Sequence, residues 1–532
     1  MMVSYGCMVT SSSETYQDLL SKKMSAVELG KAKFLHGDMG GIYPHTLKTN
    51  SFVFKIAVLA LTTLDTNQTR QSIFTKYGFL FPRQIWNWEN SPVPSIEKPT
   101  GLVFGKLTGR HPLKGRYFIE TADLGCGTCH GGPLYGNDGL PTHQFVLGIP
   151  NTSINLQGYA NDLFEGYQII IQWNEKKFIE KLLELYPDIP KDELTGLKII
   201  FNGLKKGVRK IVATRGNVST YKIGGPGTMN GIGAIKNGLG MIDNSVFQKE
   251  EGSLVSIPAF VDRSFRSSFL VSGNYTPEGN KFFYEITSKD TSDRHDQEMA
   301  SIIALFTIGT MGYDADMAAR SIPDVKDVMR FISKLEAPPF PGNVDSVKAK
   351  LGKSIFNKNC QTCHGKYESK SGKSRLVSFP NRLIPFSIIG TDSTRAVAIT
   401  TEDLKRLDKI KIGRYFDGQA TNGYVAPILS GAWATAPYFH NGSIPTLWHL
   451  MHPGERPEKF YVGGHQLDFE KVGVKGEMKE DVYSYVEGYR NWAGYEIYDT
   501  RGRGMSNAGH TEQFLRLTEH EKDCLIEFIK TL

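Results

Sequence analysis

The sequence predicts a mainly α-helical protein built as two tandem units, and three observations carry that expectation. The pentapeptide Cys-x-x-Cys-His occurs twice, at Cys126-Gly127-Thr128-Cys129-His130 and at Cys360-Gln361-Thr362-Cys363-His364. Each copy is followed far downstream by an amphipathic helical stretch with a similar ending, Phe331-Ile332-Ser333-Lys334-Leu335 and Phe528-Ile529-Lys530-Thr531-Leu532. Between the units lies Ala337-Pro338-Pro339-Phe340-Pro341-Gly342, which cannot continue a helix and reads as an interdomain linker.

The pentapeptide is the attachment signature of a c-type haem: two thiols form thioethers with the porphyrin vinyl groups and the adjacent imidazole reaches the iron. One turn of helix starting at the first Cys puts both sulfurs at one porphyrin edge and the His beneath the metal. Cys126, Cys129, Cys360 and Cys363 are therefore expected to hold two covalent haems c, with His130 and His364 as proximal ligands. A four-cysteine zinc site spaces its Cys pairs by about 15 to 20 residues, far less than the separation here, and a thioredoxin-like redox pair wants a βαβ context. Neither accounts for a His directly after the second Cys in both copies. Each unit thus reads as a cytochrome c-like haem domain, whose pocket is closed by crossed N- and C-terminal helices.

In chain order, residues 1–95 read as an N-terminal extension, with a helical stretch around Tyr16 to Phe34 and an apolar stretch, Phe54 to Leu64, that reads as a buried helix. The first haem domain, 96–337, carries long loop insertions and ends on a helix from Pro323 to Leu335. Pro323 suits a first helical turn, and Val325, Val328, Met329, Ile332 and Leu335 recur on one face. The Gly-rich stretches Gly224 to Gly227 and Gly231 to Gly233 lack the flanking strand and helix of a phosphate-binding loop, and read as loops covering the haem or joining domains. In the second domain, 343–532, a helix over Val347 to Phe356 leads into Cys360, and Thr518 with Glu521 forms a capping box that starts a final helix running to Leu532.

Composition bounds the partners. The chain has 532 residues, 40% of them hydrophobic and 22% charged, as in a globular protein. With a net charge of +7 and no dense Lys/Arg stripe interleaved with aromatics, nucleic acid is excluded as an expected partner. No run approaches the roughly 18 to 20 apolar residues that span a bilayer, so the chain is not expected to be transmembrane. Of the remaining cysteines, Cys524 falls on the last helix and reads as a small buried hydrophobe. Cys7 follows Ser4-Tyr5-Gly6, loosely like the end of a lipoprotein signal but without its hydrophobic stretch, which leaves a lipid anchor open. Bacterial haem attachment takes place outside the inner membrane, so a periplasmic or secreted protein is expected, its export signal missing or truncated in this sequence.

For the side of the second iron away from His364, the residues offer Met451, Tyr438, His440 and His510; for the first, His143, which sits in a Gly/Pro/Asn-rich stretch and reads as an exposed loop residue. The segment Ala436-Pro437-Tyr438-Phe439-His440-Asn441-Gly442-Ser443-Ile444-Pro445-Thr446-Leu447 closely resembles one found in bacterial di-haem cytochrome c peroxidases, MauG-type enzymes and di-haem rubber oxygenases. Gly148-Ile149-Pro150-Asn151, Asn155-Leu156-Gln157-Gly158-Tyr159 and Arg456-Pro457 followed by Phe460 resemble the rubber oxygenase branch most. The resemblance covers roughly residues 100–532. It implies His130 and His364 as proximal ligands and, because Asn507-Ala508-Gly509-His510 fits that branch's Asn-x-Gly-His segment, His510 as the second ligand of the second haem.

The first haem is then the open one, activating peroxide or dioxygen, with Phe260 or Phe269 lining its pocket and the second haem relaying electrons from a small redox protein. Calcium between the domains stays open. The sequence departs from the family in two places: Trp173 is the only Trp between Cys129 and Cys360, in a stretch that reads as buried helix, and Val261 follows Phe260 where relatives carry a second aromatic. The alternative is a di-haem electron-transfer cytochrome without substrate chemistry, which needs a residue such as His143 on the first iron.

Overall fold

The computed structural model describes residues 9–37, 51–89, 97–215, 224–242, 253–370 and 373–532, so Cys7 lies outside the described residues. The chain is 40% helical and 19% strand, a mixed α/β protein with many small sheets, which corrects the mainly α expectation. The helical expectation rested on the segments around the two pentapeptides. The strands lie mostly in what those segments enclose. The longest hairpin pairs Leu102–His111 with Gly115–Leu124 along its whole length, and Val9–Ser12 and Ser51–Val53 flank it. Its strands are rich in Val, Phe, Tyr, Ile and Thr, and Gly115 supplies the left-handed turn at φ +81°.

Two helix crossings frame the molecule. Ala315–Ile332 crosses Ala26–His36, and Ser346–Asn359 crosses Glu519–Ile529. Each crossing is made close by one glycine. A Cβ on Gly30 would overlap the Asp327 carbonyl and press on Phe331, and one on Gly352 would overlap the Cys524 carbonyl and press on Phe528. The matching Phe-Ile-x-x-Leu endings thus occupy matching places. The helix that crosses Ala315–Ile332 comes from the stretch read as an extension, where Ser25 and Glu28 form a capping box and Lys33 pairs with Asp324 and Asp327 at 2.6 Å.

Several local expectations change. Pro323 lies inside its helix, not in its first turn: Asp314 caps the helix by accepting the Met317 N–H, and Ala315, Met317, Ala318, Ala319 and Arg320 are helix formers strong enough to carry the chain through the missing donor. Gly231–Gly238 is a helix capped by Asn230 rather than a loop. Trp173 follows the helix Leu156–Ile170 and packs at the edge of the N-terminal core, with the Lys177 ammonium over its ring at 5.1 Å. The apolar stretch is a buried helix, Phe54–Thr62, and the Thr518/Glu521 capping box starts the helix Glu519–Ile529. Cys524 on that helix is fully buried.

The halves interlock. Tyr275–Pro277 pairs antiparallel with Phe416–Gly418. The Asn381 side chain, fully buried, donates to the Phe265 and Tyr284 carbonyls and accepts the Ser267 N–H. The Pro-rich linker is fastened too, since Trp433 Nε1 donates to the Pro338 carbonyl and Phe340 packs edge-on against Trp433 and Phe469. Among the described residues no helix is long and apolar enough to cross a membrane.

Candidate haem-binding sites

Both pentapeptides form the expected helical turn, Cys126–Cys129 and Gln361–His364. After each, the imidazole is tied back by the same device. His130 Nδ1 lies 3.0 Å from the Pro258 carbonyl, and His364 Nδ1 lies 3.0 Å from the Pro427 carbonyl. A carbonyl only accepts, so Nδ1 carries the proton in each ring and the lone pair stays on Nε2, as a metal-binding imidazole requires. Burial pulls His130 down to about 4 and lowers His364 as well, so both rings are neutral at pH 7.

The two prolines open two copies of one loop, at constant spacing. Asp262 and Gly431 are both left-handed, at φ 56° and 71°; short 3-10 turns follow over Arg263–Phe265 and Ala432–Ala434. Leu270 and Phe439 then take φ 70° and 67°, and Gly273 and Gly442 take φ 64° and 74°. The copies end in equivalent bridges, Phe269 to Tyr275 and Tyr438 to Ile444. Left-handed Leu and Phe are rare and costly, so their recurrence marks one backbone built twice. Sequence reading missed this repeat. Its only sequence signals are the Ile257-Pro258 and Ala426-Pro427 pairs and the two glycines.

Around the first site the backbone closes a ring: the His130 carbonyl accepts the Gly148 N–H, and the Gly148 carbonyl accepts the Phe260 N–H, both at 2.7 Å. The Phe260 ring consequently stacks on the His130 imidazole, with centroids 4.0 Å apart and planes at 27°. Phe269 is buried in the same core, with its N–H bonded to the Tyr275 carbonyl. His143 is on a strand, Pro141–Leu147, and not in a loop; its side chain is exposed.

At the second site the structure separates the four candidates. Met451 is fully buried in core, Tyr438 donates to the Val472 carbonyl, and His440 stacks on Tyr424 with Nε2 3.2 Å from its hydroxyl. His510 alone of the four faces His364, with ring centroids 6.2 Å apart. A metal–nitrogen bond of about 2 Å plus about 1 Å from nitrogen to ring centre places two axial imidazoles about 6 Å apart, so the pair fits a haem iron between them. His510 takes φ 54°, its N–H bonds the Ile389 carbonyl, and burial pulls its pKa down to about 3. Arg456, quoted above only for its place in a pattern, holds this loop: it donates to the carbonyls of His449, Leu450, Asn507 and Gly509 and lies over Phe439, which packs on His510.

Burial raises Cys126 to about 11 and Cys129 and Cys360 to about 12, so these thiols stay protonated instead of serving as thiolate ligands or redox nucleophiles. Among the described residues no three His, Cys, Asp or Glu side chains are grouped to hold a metal ion.

Known proteins agree with this over part of the chain. Residues 423–461 match a family described as RoxA-like, cytochrome c-like. That stretch contains Pro427, the second loop copy and Arg456. The uncharacterized protein y4iM of Sinorhizobium fredii is 32% identical over 217 residues, covering 34% of this chain and 45% of that protein. The uncharacterized protein y4iJ of the same organism is 29% identical over 259 residues, covering 37% and 41%. The matched stretches thus span less than half of either relative. The match over residues 423–461 makes the chain similar there to the RoxA-like cytochromes c, and with the geometry of the two pentapeptides suggests haem c and haem-based redox chemistry.

Proposed function

We propose that the protein is a periplasmic di-haem oxidoreductase, akin to the di-haem peroxidases, MauG-type enzymes and rubber oxygenases, that activates peroxide or dioxygen at the His130 site and relays electrons through the His364 site. A haem iron with one imidazole and an open position binds such oxidants, while one with two strong ligands transfers electrons. The observation that carries the reading is the asymmetry of the imidazoles: among the described residues His364 has a second imidazole, His510, across from it, whereas the ring contact of His130 is Phe260, stacked on its face and no ligand.

In this reading Pro258 and Phe260 hold the His130 ring in one tautomer and one plane, with Nε2 free to ligate. At the other site Pro427 fixes His364 from one side, and Arg456 fixes the loop of His510 from the other. Electrons come from a small redox protein. Covalent attachment places the work outside the inner membrane.

Carbon monoxide added to the reduced holoprotein, or peroxide added to the resting one, is expected to perturb only half of the haem spectrum. Two six-coordinate haems, inert in both redox states, would overturn the reading in favour of a pure electron-transfer cytochrome. His143→Ala separates the two further. The exposed position of His143 predicts no spin change at the first haem, and a low-spin to high-spin conversion there would make it a ligand.

A further inference from the structure

Arg395 is 2% exposed, yet its Nε and Nη1 have no acceptor among the described residues. The buried guanidinium of Arg266, by contrast, donates to the carbonyls of Ser268, Leu270 and Ala426, and the half-buried one of Arg456 to those of His449, Leu450, Asn507 and Gly509. Burial pulls Arg395 down only to about 10, so it is a cation at neutral pH. The groups acting on it electrostatically are the Tyr424 and Tyr275 hydroxyls. Nearby Asp392 turns its carboxylate to the backbone, accepting the N–H groups of Thr394 and Ser506. An enclosed cation with unmet donors is among the costliest features a core can hold, unless something not encoded in the chain completes it.

The position of the segment says what that is. Ile389 accepts the His510 N–H, and Gly390 and Thr391 lie against Gly509. The hydroxyl of Thr391 is likewise buried without a partner. Farther along, Ala396 N–H bonds the Tyr424 hydroxyl, and Tyr424 stacks on His440 next to Phe439. Tyr275, which also acts electrostatically on Arg395, belongs to the first loop copy. The guanidinium therefore sits where the wall of the His364/His510 site meets the first half.

A planar fork of N–H donors matches a carboxylate. A covalently held porphyrin carries carboxylates that no residue described above receives. We propose that Arg395, in the segment that also carries the partnerless Thr391 hydroxyl, is the receptor for a porphyrin carboxylate at the junction of the two halves. The proposal rests on the di-haem reading. The carboxylate belongs to the haem on His364 or to the haem on His130, and the experiment separates the two.

The holoprotein, with Arg395→Gln and Arg395→Lys variants, is matured in a host that attaches haem c, checked by mass for covalent haem, and titrated redox-spectroscopically. Removing the cation destabilises the more negative, reduced state. In Arg395→Gln one of the two waves is expected to move to lower potential, by about a tenfold loss in the reduction equilibrium, or about 59 mV. Arg395→Lys recovers part of that shift. The moving wave is assigned in a background lacking Cys126 and Cys129, hence lacking the first haem: persistence of the shift there names the His364 haem, and its loss names the His130 haem. Variants that hold both haems with neither wave displaced overturn the proposal while leaving the di-haem reading intact, whereas wild-type protein without covalent haem fails that reading first. Where Arg395→Gln does not accumulate, Arg395→Lys decides by resonance Raman: a displaced propionate-bending band supports the proposal and an unmoved band overturns it.

Discussion

The loop from Pro258 to Tyr275 and the loop from Pro427 to Ile444 have the same backbone and different surroundings. Each hands a proline carbonyl to a proximal imidazole, turns left-handed at equivalent residues and closes on an equivalent bridge. What differs lies partly in the loops themselves and partly in a distant segment. The second receives His510 on a left-handed residue, in a segment near the end of the chain that Arg456 clamps through backbone carbonyls. The first receives Phe260 from its own loop, stacked on the imidazole it serves. Duplication thus accounts for the carbonyl that orients each imidazole, and what lies against that imidazole differs: a residue of the loop itself, Phe260, in one copy and a distant segment carrying His510 in the other.

The largest effects break the comparison at its root. Replacing Cys126 and Cys129 by Ala, or Cys360 and Cys363 by Ala, is expected to remove one covalent haem from the mass of mature protein in each case. Equal loss from both sites supports the duplication; retention of both haems in either variant sinks it.

His510→Ala is expected to turn the second haem from low-spin to high-spin, with carbon monoxide then binding both haems, while Phe260→Ala leaves the ligand count at the first haem unchanged. Electronic and electron paramagnetic resonance spectra read both. A low-spin second haem surviving in His510→Ala would return Met451, Tyr438 or His440 to consideration.

The two helix crossings sharpen the comparison at the level of packing. Gly30→Ala and Gly352→Ala each drive a methyl group into a facing backbone carbonyl, and overpacking of this kind costs about 1 to 3 kcal/mol or more. Denaturant unfolding should show similar losses for both. A neutral result at either glycine would mean that its helices do not cross as closely as the other pair.

The last test is electrostatic. His440 stands where the first loop has Val271, and burial pulls its pKa from 6.5 to about 4. Between those values the unfolded chain binds a proton that the fold refuses, so this contribution to stability is fully present above pH 6.5 and is lost as pH falls to 4. His465 adds a loss of the same sign. His440→Val should flatten the fall of the urea midpoint between pH 6.5 and 4; an unchanged slope would show that His440 is not among the groups responsible.

Much of the site was legible because its signals are local. Adjacent residues in one helical turn create the attachment geometry, so the pentapeptides could be read directly, and so could the capping box at Thr518 and Glu521. The partner of the Ala315–Ile332 helix could not be read because a Gly that permits close crossing looks like any other Gly until the facing backbone is known. The strands were undercounted because hairpin inserts announce themselves by alternation and turn residues, weaker marks than helical periodicity.

By itself the sequence determined that thiols and imidazoles occur twice in the order that covalent haem attachment needs, and that amphipathic helices with like endings follow each copy. Only the tertiary structure decided which carbonyls orient the imidazoles of the two pentapeptides, and that Arg395 is enclosed with donors to spare. The reason is physical. Attachment chemistry is written in neighbouring residues, whereas ligation across a pocket and the satisfaction of a buried charge depend on segments that only folding brings together.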